Sequence, residues 1–277
     1  LDFVRAVARQ VSFARKSLLL SEAKAERRAL DRQLGLAQEI QASLMPDNAQ
    51  RVPGVDTHLC YEPAMWVGGD YCDVWSLQDG RLAFVIGDVS GKGLPAAMVM
   101  SNLQAALRTT MSFCPRPADA MAHIDRHLSE SMPERMFVTM FLGVFNPADG
   151  TLEYVNAGHI LPILVRADRS AHQMGKPTNP PVGVFVGTFE AEAEQIDPDA
   201  GVLIVTDGIT ETMSPEGDEF GPERLQQCLN GWQGMTAREM VETTHGAART
   251  FRQDLPPQDD ITVFALRNCA VTERQTP

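Results

Sequence analysis

With 277 residues, 44% of them hydrophobic, the chain can bury one substantial core and still carry an appendage. Its 24 basic and 36 acidic residues leave a net charge of −12; with no basic patch visible, that balance argues against a nucleic-acid or anionic-membrane partner. No apolar run approaches the roughly 18 residues of a membrane span, nothing at the start resembles a signal peptide, and five scattered cysteines without a CxxC pair make a reducing cytoplasm the simplest setting.

Residues 1–45 contain no proline and one glycine, Gly35, and are dense in Ala, Leu, Arg, Glu and Gln, so they are predicted to be helical. Leu20, Ala23, Arg27, Leu30, Leu34, Ala37, Gln41 and Leu44 follow alternating steps of three and four, a heptad seam with two polar positions. Upstream, Val4, Val7, Val11, Ala14 and Leu18 keep the same spacing in another phase. Fully helical, the segment is roughly 65 Å long at 1.5 Å per residue, too long for one edge of a compact domain. It either folds back on its own body or, the reading the seam favours, pairs with a second copy as a coiled coil and serves as a regulatory linker. The chain begins at Leu1 rather than a methionine, as would a fragment whose upstream part holds a sensor or an anchor.

Prolines at 46 and 53 bound a polar break that starts the body, residues 46–270, followed by a tail, residues 271–277. Strands are predicted at 55–61, 71–77 and 81–87, the last two joined by Gln78-Asp79-Gly80, a hairpin cue. Helical spacing covers 95–113 and 117–131. Strands return at 137–145, 151–156 and 161–165, and a proline- and glycine-rich loop fills 177–187. A wholly apolar strand, 201–206, runs into Asp207; helices at 222–230 and 236–253 and a strand at 261–267 close the body. Hairpin-linked strands grouped between pairs of helices do not fit the alternation of a parallel sheet. The expected class is α+β, an α-β-β-α sandwich of two antiparallel sheets flanked by helices and preceded by the long helix.

Acids recur where strands end. Asp88 closes an apolar run before Gly91-Lys92-Gly93, and similar placements belong to Gly68-Gly69-Asp70 with Asp73, Thr206-Asp207-Gly208, and Asp259-Asp260. A lone Asp-Gly is usually a turn or a cap. If four such acids converge, only cations relieve their repulsion, and the expectation is a metal site with oxygen ligands. Other patterns fail on spacing. Gly87 to Gly93 lacks the GxxxxGK order of a phosphate loop, and His123 and His127 lack the glutamate of HExxH. Ser90 is not in GxSxG. Gly91-Lys92-Gly93-Leu94-Pro95-Ala96 fits GxGxxA, but Arg116 and Pro117 stand where a dinucleotide fold places its acid.

The motifs together resemble those of the metal-dependent serine/threonine protein phosphatases of the PPM, or type 2C, family, in the bacterial SpoIIE/RsbU-like branch. The resemblance is carried by Gln41-Ala42-Ser43-Leu44-Met45-Pro46, Val67-Gly68-Gly69-Asp70-Tyr71-Cys72-Asp73, Gly87-Asp88-Val89-Ser90-Gly91-Lys92-Gly93 and Asn156-Ala157-Gly158-His159. It continues through Thr206-Asp207-Gly208-Ile209-Thr210-Glu211, Phe220-Gly221 with Arg224-Leu225, and Asp259-Asp260-Ile261-Thr262-Val263, so that nearly all of 38–267 is covered. Cys72 replaces the branch's usual aromatic and Met45 its usual leucine.

The resemblance implies that Asp88 bridges two Mn²⁺ or Mg²⁺ ions. Asp207 and Asp259 complete one ion, and Asp70 and the Val89 carbonyl serve the other. Asp73, Asp260 and His159 stand behind these ligands, and Asp260 can exchange roles with Asp259. It further implies in-line attack of a metal-activated water on a phosphoserine or phosphothreonine, with the proton donor to the leaving oxygen left open between metal-bound water and His159. The implied substrate is a small STAS-domain antagonist of an anti-sigma factor, and the helix is the regulatory input. The competing readings are a catalytically silent, dimeric phosphatase-like module and a dinucleotide-binding oxidoreductase.

Overall fold

A computed structural model describes residues 2–46, 52–168, 170–230 and 234–269; the predicted tail lies outside them. The long first helix, α1 (Asp2–Leu44), leads into β1 (Val55–Glu62), β2 (Tyr71–Ser76) and β3 (Leu82–Val89). The helical pair α2 (Leu94–Phe113) and α3 (Pro117–Ser131) follows, each with proline in its first turn where the missing N–H costs nothing. Next come β4 (Val138–Asn146), β5 (Thr151–Ala157), β6 (Ile163–Val165), β7 (Ala171–Gln173), β8 (Glu192–Gln195) and β9 (Gly201–Val205). The order ends with α4 (Asp207–Thr210), α5 (Gly221–Leu229), α6 (Ala237–Arg252) and β10 (Ile261–Asn268).

Two five-stranded antiparallel sheets form, ordered β1-β10-β9-β6-β7 and β2-β3-β4-β5-β8. Period-two alternation along the strands splits the core into three layers. In β3, Ala83 and Val85 face α2 and α3. Leu82, Phe84 and Ile86 face the other sheet, where the Phe84 ring lies 5.2 Å from that of Phe264. The outer face of the first sheet is covered by α5 and α6 through Leu225, Leu229, Met240 and Val241. This is the expected sandwich, and it brings four strand ends to one side: the start of β2, the end of β3, the end of β9 and the start of β10.

The structure adds elements the sequence does not announce. Three of the four residues of β8 are polar, so they lack the alternation that marks a strand, yet pairing with β5 orders them. At the end of β9 the chain turns into the single-turn helix α4, so that Asp207 opens a helix rather than closing a strand. Within α1 the seam divides. Leu34, Ala37, Gln41 and Leu44 turn partly or wholly toward the body, whereas Leu18, Leu19, Leu20, Leu30, Leu36 and Ile40 are all more than half exposed. No helix among the described residues is long and apolar enough to cross a membrane.

One clamp fixes α6 to β1. Glu62 takes His245 Nε2 at 2.7 Å on one carboxylate oxygen and Arg252 at 2.6 Å on the other. Hydrogen bonding to Cys60, and then to Glu62, raises the His245 pKa from 6.5 to about 9 against the opposing effect of burial. A raised folded-state pKa gives stability that is complete below the unfolded value and is lost as pH climbs through the folded one. The melting temperature is therefore expected to fall between pH 6.5 and about 9, and His245→Gln should flatten that decline in a thermal scan across the window. An equally steep decline in the variant would assign the effect elsewhere.

Candidate metal centre

Asp70, Asp88, Asp207, Asp259 and Asp260 meet at the side where those four strands end. Asp70 is completely enclosed, and one of its oxygens accepts hydrogen bonds from Thr206 Oγ1 at 2.8 Å and Thr262 Oγ1 at 2.6 Å. Thr262 belongs to the first sheet, Thr206 directly follows its strand β9, and Asp70 leads into the second sheet, so the two hydroxyls tie the layers together at this corner. Burial, then the charge of Asp88, pushes the Asp70 carboxyl well above its usual range. Burial and the charges of Asp207, Asp259 and Asp260 raise Asp88 to about 7. Burial, Glu211 and Asp259 raise Asp207 to about 6. These carboxyls resist ionisation together, as closely placed like charges must. Among the described residues one cation reaches them: Lys92 Nζ lies 2.7 Å from Asp259 and donates to the Gln258 carbonyl.

Asp260 holds backbone rather than facing the pocket. Its oxygens accept from the N–H groups of Ala64 at 2.8 Å and Gly69 at 2.7 Å, so it fixes the segment that delivers Asp70. This packing explains two glycines. A Cβ on Gly208 would lie 2.0 Å from the Asp260 carbonyl, and one on Gly68 would lie 2.1 Å from an Asp260 carboxylate oxygen, both far inside van der Waals contact. On its other side Gly68 is held by Gln41 of α1, whose amide donates to the Gly68 carbonyl at 2.7 Å and accepts from its N–H at 3.0 Å. The Val89 carbonyl points toward Gly69, 2.8 Å from where a Cβ there would stand.

Two of the residues expected behind the ligands are occupied differently. Asp73 alternates to the helix-facing side of β2, where Arg108 binds it with two contacts of 2.6 Å and the Tyr71 hydroxyl with one of 2.8 Å. Arg108 also stacks over Trp75. Asp73 is thus half of an ion pair joining β2 to α2 and does not join the acidic group. His159 sits at the edge. Its backbone is bracketed by Asn156 at 3.0 and 2.7 Å, and its Nδ1 contacts Thr139 Oγ1 at 3.0 Å. Thr139 stands opposite Asp88 in the sheet. Burial lowers the His159 pKa to about 4, so the ring is neutral near pH 7 rather than the acidic imidazolium.

Sequence reasoning left Thr206, Thr262, Gln41 and Lys92 without roles. The first two lie beside the acids in Thr206-Asp207-Gly208 and Asp260-Ile261-Thr262, and their repeated neighbourhood was the available signal. Gln41 stood out as one of two polar residues, with Arg27, on the seam.

Residues 78–268 match the family described as Stage II sporulation protein E (SpoIIE). The chain belongs to the SpoIIE family. It is 31% identical over 242 residues to Protein IcfG of Synechocystis, a match covering 77% of this chain and 38% of IcfG. It is 25% identical over 241 residues to Phosphoserine phosphatase RsbU of Bacillus subtilis, covering 85% and 70%. The chain thus spans well under half the length of IcfG. Among solved structures, the RsbU and RsbW domains of Rv1364c from Mycobacterium tuberculosis superpose with a TM-score of 0.67 at 30% identity, covering 79% of this chain and 61% of that one. The SiaA-PP2C domain of Pseudomonas aeruginosa superposes with a TM-score of 0.78 at 19% identity, covering 88% and 98%, a likeness of fold. The sandwich is the PP2C fold of this family.

The donor set of this SpoIIE-family site suits hard divalent ions. The converging acids offer carboxylate oxygen, and among the described residues neither cysteine nor histidine stands with them. Among the described residues no three acidic, histidine or cysteine side chains close around one point as they stand; the carboxylates are neighbours rather than a finished cage. Raised carboxyl pKa values at Asp70, Asp88 and Asp207 are those of a group that gains by taking up positive charge.

Proposed function

We propose that the body is a metal-dependent phosphatase that hydrolyses phosphoserine or phosphothreonine on a small regulatory protein, with a phosphorylated STAS-domain antagonist as substrate. The observation that carries the proposal is the convergence of Asp70, Asp88, Asp207 and Asp259 at one corner of a PP2C sandwich. Two named relatives, RsbU and RsbP of Bacillus subtilis, are phosphoserine phosphatases, which supports the ester and the residue class. In this reading Asp88, Asp207, Asp259, Asp70 and the Val89 carbonyl would hold a pair of Mn²⁺ or Mg²⁺ ions. Such ions would supply an activated water and positive charge for the phosphate oxygens.

The chain's own residues have separable tasks. Thr206 and Thr262 orient Asp70 and occupy one of its oxygens, so the other faces the pocket. Asp260 and Gln41 fix the backbone on which Asp70 is mounted. Lys92 holds Asp259 from the solvent side and puts a positive charge at the rim, where a phosphate arrives. The neutral His159 braces Thr139 across from Asp88 rather than serving as an acidic imidazolium. Release of inorganic phosphate from a phosphoserine peptide, measured with Mn²⁺ and with EDTA, tests the proposal. Cation-dependent release is expected, and a lack of turnover under both conditions would favour the silent, phosphatase-like module.

The exposed leucines of α1 also support a homodimer through its N-terminal two-thirds, where leucine side chains more than half exposed await an apolar partner. Light scattering should give twice the chain mass. Leu20→Asp with Leu30→Asp should halve it, and a monomeric unmodified chain would refute the pairing.

A further inference from the structure

The loop after β7 carries three consecutive apolar residues in solvent: Val184, Phe185 and Val186 are 42%, 70% and 64% exposed. Its shape is held from beneath. Asp125 of α3 is fully buried, and its two carboxylate oxygens accept from the N–H groups of Gly183 at 2.9 Å and Gly187 at 3.2 Å. Among the described residues no cation pairs with Asp125. A buried carboxylate is costly unless hydrogen-bonded, and here its bonds go to both ends of one short loop. Gly183 accordingly has φ +88, a conformation that side chains disfavour. Immediately before it, Val182 exchanges two 2.9 Å hydrogen bonds with Val138 at the start of β4.

This anchoring sets the distance to the acidic corner. Val138 is paired with Val89, the residue after Asp88, and Val182 lies on the far side of Val138. Neighbouring strands are about 4.8 Å apart, so Val182 stands roughly 10 Å from the strand bearing Asp88, about three residues of extended peptide. Phe137, 38% exposed and bonded through its backbone to Ser90, continues the apolar surface toward the pocket.

We infer that Val184, Phe185, Val186 and Phe137 form a docking lip for the substrate polypeptide, taking aliphatic or aromatic side chains two to four residues from the phosphorylated one. The inference rests on the phosphatase reading above and adds a preference for sequence around the phosphate. Charge supplies the reason for an apolar lip. A phosphoprotein brings roughly two negative charges per phosphate to a chain of net charge −12, and that repulsion reaches about 8 Å at physiological ionic strength. Lys92 at the rim meets the phosphate itself; for the flanking peptide, short-range burial of apolar surface gains attraction without complementary charge, and the lip supplies it beside the strand that bears Asp88.

The test compares three substrates with Mn²⁺ present: p-nitrophenyl phosphate, a phosphoserine peptide with Leu and Val two to four residues on either side, and the same peptide with Gly and Ser there. The unmodified chain should favour the apolar peptide by about tenfold in kcat/KM, mostly through KM, as expected when ground and transition states gain the same contact. Phe185→Ser, and separately Val184→Ser with Val186→Ser, should erase that preference and leave p-nitrophenyl phosphate turnover and the melting temperature unchanged. A preference that survives both variants overturns the lip. So does a change of mass on light scattering in Phe185→Ser, which would make the surface a contact between copies. If p-nitrophenyl phosphate and both peptides resist the unmodified chain, the phosphatase reading itself has failed and the lip falls with it. Turnover of all three without discrimination removes the lip alone.

Discussion

Asp88→Asn should lower Mn²⁺-dependent phosphopeptide hydrolysis by about 10³-fold or more and, in EDTA, raise the melting temperature of the same protein. Both effects have one origin. Asp88 lies among Asp70, Asp207, Asp259 and Asp260, so in the proposed function it would serve both ions, and burial together with those neighbouring charges makes its ionised form costly without them. A 10³-fold loss corresponds to roughly 4 kcal/mol of transition-state stabilisation, within the several kcal/mol that ion pairs of this kind supply.

The stability effect follows from linkage. The Asp88 carboxyl moves from 3.8 to about 7 on folding, so between those values the folded state binds more protons than the unfolded one and stability falls as pH rises. The penalty is complete above about pH 7 and absent below 4. In EDTA the unmodified chain should melt higher at pH 5 than at pH 8, and Asp88→Asn should shrink that difference. Added Mn²⁺ should raise the unmodified chain's melting temperature, as a ligand specific to the folded state does, and raise that of Asp88→Asn far less. Full activity in Asp88→Asn would remove the mechanism. A lower melting temperature in EDTA would show that repulsion is not what these acids experience.

Gln41→Ala should shift the Mn²⁺ concentration for half-maximal activity upward by roughly 10- to 100-fold and leave the rate at saturating Mn²⁺ little changed. Gln41 satisfies both backbone groups of Gly68, two residues from Asp70. A buried polar group left without a partner costs about 1–3 kcal/mol, and the chain can relieve that cost by letting the 68–70 segment move, which displaces Asp70. Each 1.4 kcal/mol is about tenfold in affinity. Gln41→Glu should be no better, since a carboxylate cannot donate to the Gly68 carbonyl and adds negative charge near the acids. A fall in saturated rate with an unchanged Mn²⁺ requirement would place Gln41 in another role.

Much of this corner was legible because its demands on the chain are local. Acids beside glycines at the ends of apolar runs are cheap to recognise, and the close approaches at Gly68 and Gly208 explain why glycine is required there. Asp73 was misleading for the opposite reason: its spacing from Asp70 is right, but period-two alternation turns it toward Arg108, a partner 35 residues away that no local pattern announces. The strand β8 has the same cause, since its order comes from β5 rather than from its own residues. Gln41 bonds to Gly68 across 27 residues; the sequence displays an exception in a seam, and only the folded chain gives it a task.

The two threonine hydroxyls on Asp70 have a mechanical consequence. They come from one sheet and the residue directly after its strand β9, and grip an acid that leads into the other, so sliding of one layer over its neighbour would change the spacing of the acids before it loosened the hydrophobic interior. If the corner holds cations as proposed, its affinity for them would report on the alignment of the two sheets, and Thr206→Val or Thr262→Val would change that affinity before it changed the packing of the interior.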